Sequence, residues 1–356
     1  MDNLIYTPFG EIDLEDVFFD SLRANYDGFD SWFSRKAANG ECAYVYEDES
    51  GKLLDFLYLK DECEQLQMDG ETLPVARRLK VGTFKIEHRG TKRGERFMKK
   101  ILDTAIGGDF NEVYVTMFDD TEELSFLKDF FKRYGFEEIG RKSSSKEKCE
   151  AVLLRDMRKS HNDIVQDYPF VDISSGSDYI LSIIPDFHTR LFSDSILHNE
   201  NGYEILKDES PTNGINKTYV CKMRDAQKFK RGDHLVIYRT TDGQGSAYYR
   251  SVATSLCTVL DVKSKQDFGD LKAFQEYCGN RSVYDESALA RWYGNWNFFA
   301  VKMLYNMAFR KKVIRKDIIE QVGVPEGDYW GVHSLTKDQV RSLLKLGQAD
   351  ERYIID

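Results

Sequence analysis

No apolar run in this 356-residue chain approaches the length of a membrane span. Tyr179–Pro185 is among the longest, against the roughly 20 residues that a spanning helix needs. The start, Met1-Asp2-Asn3-Leu4, has no basic n-region and no apolar h-region, so no secretory signal is expected. Neither end carries a lipidation signature. The six cysteines, Cys42, Cys63, Cys149, Cys221, Cys257 and Cys278, lie far apart with no CxxC pair, and the six histidines are scattered without an HExxH. A tetrahedral zinc site therefore has no local support and no metal is expected; reduced thiols in a cytoplasmic protein are. Internal repeats and low-complexity tracts are missing as well. So is a basic excess: the net charge is −10. Residues 1–50 hold 12 acidic and 3 basic side chains, and the remainder 48 and 47. Whole-chain charge thus argues against non-specific nucleic-acid binding but leaves room for a local basic patch.

What is present is enough apolar residue, 41%, for one large or two ordinary domains. Ile12–Asn39 has helical spacing of Phe18, Phe19, Leu22, Tyr26, Phe29, Trp32 and Phe33, with Gly28 a break and Gly40 a stop. Ala43–Asp48 and Leu53–Lys60 read as strands around a Glu49-Ser50-Gly51-Lys52 turn, and Leu79–Glu87 as a third. Glu95–Ile106 reads as an amphipathic helix, Glu112–Phe118 as a strand and Thr121–Tyr134 as a second helix. Asp120 and Glu123 resemble a capping box at its start. Phe136–Arg141 and Glu150–Arg155 close the pattern. The order predicts an α+β unit, a mixed sheet with helices on both faces. Composition turns polar between Met157 and Ser177, which sets the expected boundaries at 1–157, a linker at 158–176, and 177–356. The second half offers strands at Tyr179–Ile184, Leu235–Arg239, Tyr248–Leu260 and Phe298–Tyr305. Short helices are expected at Pro185–Phe192, Leu271–Cys278, Ser287–Tyr293, Arg315–Val322 and Thr336–Leu346. That mixture predicts a small, partly closed β-barrel with helical additions.

The stretch that carries chemistry is Arg89-Gly90-Thr91-Lys92-Arg93-Gly94-Glu95, after a strand and opening a helix. Unpaired N–H groups and partial positive charge at a helix start hold phosphates. Gly90 and Gly94 allow close backbone approach, and Arg89, Lys92 and Arg93 add charge suited to a pyrophosphate. A basic surface turn is the competing interpretation. Glu87 and His88 end the preceding strand and are candidate bases. Asp119 and Asp120 follow the next strand, where substrates often bind.

The loop resembles the Q/R-x-x-G-x-G/A pattern of the GNAT N-acyltransferase superfamily. Arg89 and Gly94 take its outer places, and Lys92 replaces the inner glycine. Phe130-Phe131-Lys132-Arg133-Tyr134-Gly135-Phe136 resembles that family's Phe-Tyr-x-x-x-Gly-Phe signature. The resemblance covers residues 1–157. It implies acyl-CoA binding, with acetyl-CoA the donor: Phe84, Lys85 and Ile86 pair with the pantetheine arm, and Arg89–Glu95 hold the pyrophosphate. It implies direct amine attack on the thioester, which needs a base, an oxyanion partner and a proton for the thiolate. Phe131 stands where the family has its acidic tyrosine. Tyr134, one turn on, is the substitute, against the alternative of a core aromatic, and Glu87 is the candidate base.

Tyr179-Ile180-Leu181-Ser182-Ile183-Ile184-Pro185 and the helix after it resemble the opening of PUA-like domains of the ASCH kind. Asp194 stands where their Gly-x-Lys-x-x-Glu-x-Arg motif would begin. That resemblance implies contact with RNA or a modified base. Two basic runs, Arg310-Lys311-Lys312 with Arg315-Lys316, and Lys222 to Arg231, are available for it, with Tyr248, Tyr249 and Arg250 for stacking. Solvated faces and strand core are the alternatives. Trp292, Tyr293, Trp296, Phe298 and Phe299 read as core. The leading expectation is an acetyl-CoA-dependent N-acyltransferase whose second half recruits an RNA-linked, ribonucleoprotein or protein substrate, with a homo-oligomer allowed. The alternative is a GNAT-like scaffold without turnover that binds RNA or a partner.

Overall fold

Strands of the first half pair into a seven-stranded sheet, and those of the second half into a six-stranded one. The structure is a computed structural model. It describes residues 4–48, 50–87, 92–143, 148–192, 195 and 214–355. Two compact units result. One comprises residues 2–89 and 97–167; the other comprises 90–96 and 168–356, with Met1. No helix of the described residues is long and apolar enough to cross a membrane.

The N-terminal unit runs β1 (Leu4–Pro8), α1 (Asp20–Asn25), α2 (Phe29–Ala38), β2 (Cys42–Glu47), β3 (Leu53–Met68) and β4 (Glu71–Ile86). It continues with α3 (Arg93–Gly107), β5 (Glu112–Met117), α4 (Glu122–Arg133), β6 (Glu137–Ser143) and β7 (Cys149–Asp156). The sheet order is β1-β2-β3-β4-β5-β7-β6. Only β4 and β5 run parallel; every other pair is antiparallel. Phe9, Phe18, Phe19, Phe29 and Phe33 from the α1–α2 region pack on Ala43, Val45 and Phe56, an aromatic cluster with ring separations near 5 Å. The predicted α3 stripe, Phe97, Met98, Ile101, Leu102 and Ala105, is buried. Gly28 breaks the first helix at φ 75°, as glycine's freedom permits.

The β3–β4 hairpin and the start of α4 differ from expectation. β3 and β4 are 16 residues each, not short strands: the charged stretch Asp61–Arg78 is a hairpin arm. Asp69-Gly70 makes its two-residue turn, with Gly70 at φ 82°. Cross-strand pairs such as Arg77–Asp61, 2.8 Å apart, hold the arm. The α4 cap is Thr121, whose hydroxyl accepts from Leu124 N at 3.2 Å, rather than Asp120.

The C-terminal unit holds β8 (Val171–Asp172), β9 (Asp178–Ile183), α5 (Pro185–Leu191), β10 (Asn216–Cys221), β11 (His234–Arg239) and β12 (Val252–Ser264). It continues with α6 (Leu271–Cys278), α7 (Glu286–Asn295), β13 (Phe299–Ile314), β14 (Val332–Leu335), α8 (Lys337–Leu346) and β15 (Ile354–Ile355). Single helical turns stand at Ala247–Arg250 and Arg315–Asp317, the latter running into a π-helical Ile318–Val322. The main sheet runs β10-β13-β12-β11-β9-β14, with β9 and β11 parallel. This corrects the expectation of a β-barrel. Among the described residues no pairing joins the outer strands β10 and β14, so the sheet is open. Helices and turns cover both its faces instead: Ile180, Val236 and Leu256 pack with Leu343 and Ile318 on one, and Leu181, Leu235 and Ile237 with Leu191 and Phe192 on the other. Two-sided burial explains why Leu235–Tyr238 of β11 is a continuous apolar stretch rather than an alternating one.

Candidate functional site

The sheet of the N-terminal unit opens at one place. β4 pairs with β5 from Arg78↔Glu112 to Val81↔Val115 and no further, although β4 continues to Ile86 and β5 to Met117. On its other edge β4 keeps pairing with β3 through Ile86. The change coincides with a bulge. Tyr58 pairs with Thr83 and Leu59 with Val81, leaving Gly82 as the extra residue. A bulge bends its strand and raises the local twist, and here the bend carries β4 away from β5. Glycine is required there: a Cβ on Gly82 would lie 2.5 Å from Cδ1 of Tyr58, which is 3% exposed. Gly82 is itself exposed although it stands in the middle of a seven-stranded sheet. Among the described residues no strand pairs with the far edge of Gly82–Ile86. One side of the opening is aromatic: Phe84 lies 5.4 Å from Phe97, 5.3 Å from Phe131 and 6.2 Å from Phe130.

The expected donor-binding residues are placed as follows. Phe84, Lys85 and Ile86 form the end of β4, half-buried. The Lys85 ammonium bonds the Phe18 carbonyl and the Ser21 hydroxyl (2.8 Å) and sits over the Phe18 ring, and burial draws its pKa down. His88, Arg89, Gly90 and Thr91 lie outside the described residues. Lys92 precedes α3 in a left-handed conformation, φ 60°, and its carbonyl accepts from Glu95 N at 3.0 Å and Arg96 N at 3.3 Å. The position where the family carries its inner glycine therefore has the backbone geometry that glycine adopts most easily. Arg93 is 7% exposed, and Gly94 half-buried, in the first turn of α3. Glu95 is 4% exposed; its carboxylate accepts from Ile215 N at 2.8 Å and Asn216 N at 3.2 Å.

Of the expected proton carriers, Glu87 is exposed at the end of β4, 3.7 Å from Lys52. Tyr134 is enclosed at the end of α4, 5.3 Å from Phe130. Phe131 is fully buried against Phe136. Asp119 is held by both Arg141 nitrogens (2.7 and 2.8 Å) and by Lys128 (2.6 Å), and these bonds pull its pKa to about 2. Asp120 lies 3.3 Å from Lys148.

Sequence reasoning missed two groups, Glu150 and Tyr26, that lie close enough to interact with each other. Glu150 is the second residue of β7, paired with Lys142; burial raises its pKa against the pull of Lys142, Lys80 and the Thr116 hydroxyl. Tyr26, between α1 and α2, has its ring 5.1 Å from Phe118, and burial raises its pKa. Neither stands in a motif; strand alternation after Glu150 is the only sequence signal that could have placed it.

In the C-terminal unit, Asp194 lies outside the described residues. The basic runs are partly neutralised: Arg310 lies 2.7 Å from Asp350, Lys316 3.9 Å from Glu320 and Lys228 2.7 Å from Asp225. Tyr248 bonds Glu320 at 2.6 Å and Arg250 pairs with Asp242, which leaves Tyr249, 59% exposed, as the accessible ring of that trio. Phe298 sits in a core cluster with Phe268 and Phe274, and Trp292 and Tyr293 pack against it. Sequence reasoning also missed a cavity of about 520 Å³ with Trp292, Arg315 and Trp330 in its wall. No group of three or more metal-ligating side chains occurs among the described residues.

No protein-family model and no curated protein matches the chain. Among solved structures, ASCH from Zymomonas mobilis is similar at 12% identity and a TM-score of 0.32, over 48% of this chain and 95% of that one. Aminoglycoside 6'-acetyltransferase type Ii is similar at 14% identity and a TM-score of 0.32, over 44% of this chain and 99% of that one. A chain of the NatC complex bound to Gag peptide and CoA is similar at 16% identity and a TM-score of 0.30, over 43% and 98%. The neighbours thus include both acetyltransferases and an ASCH protein.

Proposed function

We propose that the chain is an acyl-CoA-dependent N-acyltransferase with acetyl-CoA as donor. The observation that carries this reading is the parting of β4 from β5 at Gly82. It leaves backbone N–H and C=O groups of Gly82–Ile86 without a strand partner inside a sheet, where unmet polar groups are costly. A pantetheine arm has two amides on an extended chain and can pair there as a strand would. The resemblance assigns the pyrophosphate to Arg89–Glu95. The Glu95 carboxylate opposes an anion at that point, and its two backbone donors offset part of its charge.

The chemistry needs few groups. The amine nitrogen bonds to the thioester carbon, the carbon–sulfur bond breaks, and the thiolate takes a proton. Holding amine and thioester together supplies much of the rate. Glu87, exposed at the end of β4, is the proposed base toward the amine. Tyr134 is the proposed acid toward the thiolate; it is fully enclosed, so its hydroxyl must become accessible before it meets a substrate. The C-terminal unit would recruit an RNA-linked or protein acceptor.

A second reading, a donor-binding scaffold without turnover, is favoured by Phe131, which cannot give a proton. Calorimetry with acetyl-CoA tests the first step of both. Saturable heat is expected, lost in Gly94→Glu; no heat from the unaltered protein removes the acyl-CoA reading. Acyl transfer to an amine panel then separates enzyme from scaffold. A titration of RNA against salt tests recruitment, since phosphate contacts should weaken steeply.

A further inference from the structure

β4 and β5 part after the pair Val81↔Val115, and a carboxylate stands at that fork. Glu150 lies two residues before Val152 on β7, and Val152 pairs with Thr116, the first β5 residue past the last β4–β5 pair. Strand alternation and cross-strand pairing put Glu150, Val152 and Thr116 on one face of the sheet. The Thr116 hydroxyl bonds the Glu150 carboxyl, and Lys80, one residue before the fork on β4, acts on it electrostatically. Having a neighbour on each of the two parting strands fixes the carboxyl at the fork itself.

The surroundings suit a cation. On one side the hairpin arm closes over this face, where Leu66, Met68 and Leu73 pack with Tyr114 and Val152. On the other stand the rings of Tyr26 and Phe118, 5.1 Å apart, with Tyr26 close enough for Glu150 to act on it. A carboxylate beside aromatic faces holds an alkylammonium by charge and by ring quadrupole. The chain's own Lys148 ammonium already stands over the Phe118 ring at 5.1 Å, anchored 3.3 Å from Asp120 rather than on Glu150. Gly82, exposed two residues after Lys80, puts no side chain in the way.

The lysines nearest Glu150 do not neutralise it. Lys80 lies 3.7 Å from Glu62, and Lys142, across the β6–β7 pair, is exposed; among the described residues neither comes within ion-pair distance of Glu150. Glu87, by contrast, is exposed at the far end of β4 and lies 3.7 Å from Lys52.

We propose that Glu150 receives the acceptor at the fork as an alkylammonium, a basic aliphatic amine, and takes its proton, the role given above to Glu87. The inference rests on the acyl-transfer reading and narrows its acceptor. The ammonium gives one proton to the Glu150 carboxylate. The freed lone pair bonds to the thioester carbon and the carbon–sulfur bond breaks. A second proton then leaves the nitrogen as the thiolate gains one, and Glu150 returns its own to water. Burial raises the Glu150 pKa against the pull of Lys142, Lys80 and Thr116, which brings it nearer the working pH of a base.

The test is acetyl transfer from acetyl-CoA by the full chain, followed by thiol release across pH, with n-butylamine and aniline as probes. n-Butylamine is an ammonium at neutral pH and needs a base; aniline is already unprotonated and does not. For n-butylamine, kcat/KM should rise with pH along a limb above the ordinary carboxylate range. Glu150→Gln should remove that limb and lower kcat/KM at neutral pH about a hundredfold or more, with a much smaller loss for aniline. Glu150→Asp should restore part of the limb, which a merely structural role would not. Calorimetry with acetyl-CoA separates the two failures. An unaltered protein that does not bind acetyl-CoA sinks the donor reading and this inference with it. A protein that binds acetyl-CoA overturns this inference alone in any of three cases: it acetylates neither amine, Glu150→Gln keeps the limb, or Glu87→Gln is the variant that removes it.

Discussion

Adding a single methyl group at Gly82 tests whether the opening in the sheet is built as described. The new Cβ would meet Tyr58 Cδ1 at 2.5 Å and Cε1 at 3.0 Å. Tyr58 cannot swing clear. Its hydroxyl bonds Glu41, Lys36 lies over its ring at 5.1 Å, and Phe9 and Trp32 meet it edge-on at 5.2 and 5.7 Å. Relief must come from the β4 backbone, which is the bend that separates β4 from β5. Overpacking of this kind costs about 1–3 kcal/mol, and each kcal/mol lowers the midpoint of a unit this size by about 2–4 °C. Gly82→Ala should therefore melt several degrees low, Gly82→Val lower still, and acetyl-CoA affinity should fall in the same order. Gly107→Ala is the control, since a Cβ there meets nothing within 4 Å. Thermal unfolding and calorimetry read both quantities. A Gly82→Ala protein with unaltered midpoint and unaltered affinity refutes the reasoning, because neither the wall of Tyr58 nor the bulge would then matter.

Three further outcomes follow. Lys92 pays for a left-handed backbone, φ 60°, so Lys92→Gly should raise stability by roughly 0.5–1 kcal/mol in denaturant titrations, the strain relieved less glycine's chain entropy. Asp119 has its carboxyl lowered from 3.8 to about 2 by Arg141 and then Lys128, so its contribution is present above the unfolded value and lost as pH falls between those two values. Asp119→Asn should flatten that limb of a stability–pH curve, and an unchanged limb would contradict the assignment. Burial pulls the His188 pKa from 6.5 to about 3, beside Thr254 at 2.8 Å. The folded protein should lose stability as pH drops below 6.5, with no His188 titration in NMR above about pH 4.

Much of the N-terminal unit was legible because its helices carry clean apolar stripes and end at glycines. Phe97 to Ala105 is one such stripe, and Gly135, at φ 78°, stops α4 where a Cβ would meet the Gln166 carbonyl at 2.6 Å. The hairpin arm was hidden because much of it is charged, with Glu62 opposite Arg78 and Asp61 paired diagonally with Arg77, and carries little hydrophobic signal. β10, Asn216–Cys221, was missed for the opposite reason. It is almost wholly buried, and its Asn-Lys-Thr start reads as a loop. The expected barrel failed because strand number says nothing about closure, which depends on whether β10 finds β14. At the site, the glycine and charge pattern Arg89–Glu95 anticipated a helix start, and Lys92–Glu95 are its described part. The opening itself was not, since it arises from a one-residue register shift at Gly82. Glu150, Tyr26 and the aromatic cavity are assembled from residues far apart in the chain, which local spacing does not reveal.

Hydrogen exchange with and without acetyl-CoA reads the backbone of β4 directly. Amides in Gly82–Ile86 that face the gap should exchange quickly in the free protein and slow markedly when the donor is added, together with those at the start of α3. Saturating acetyl-CoA that leaves both segments unchanged would contradict the assignment of this opening as the donor site.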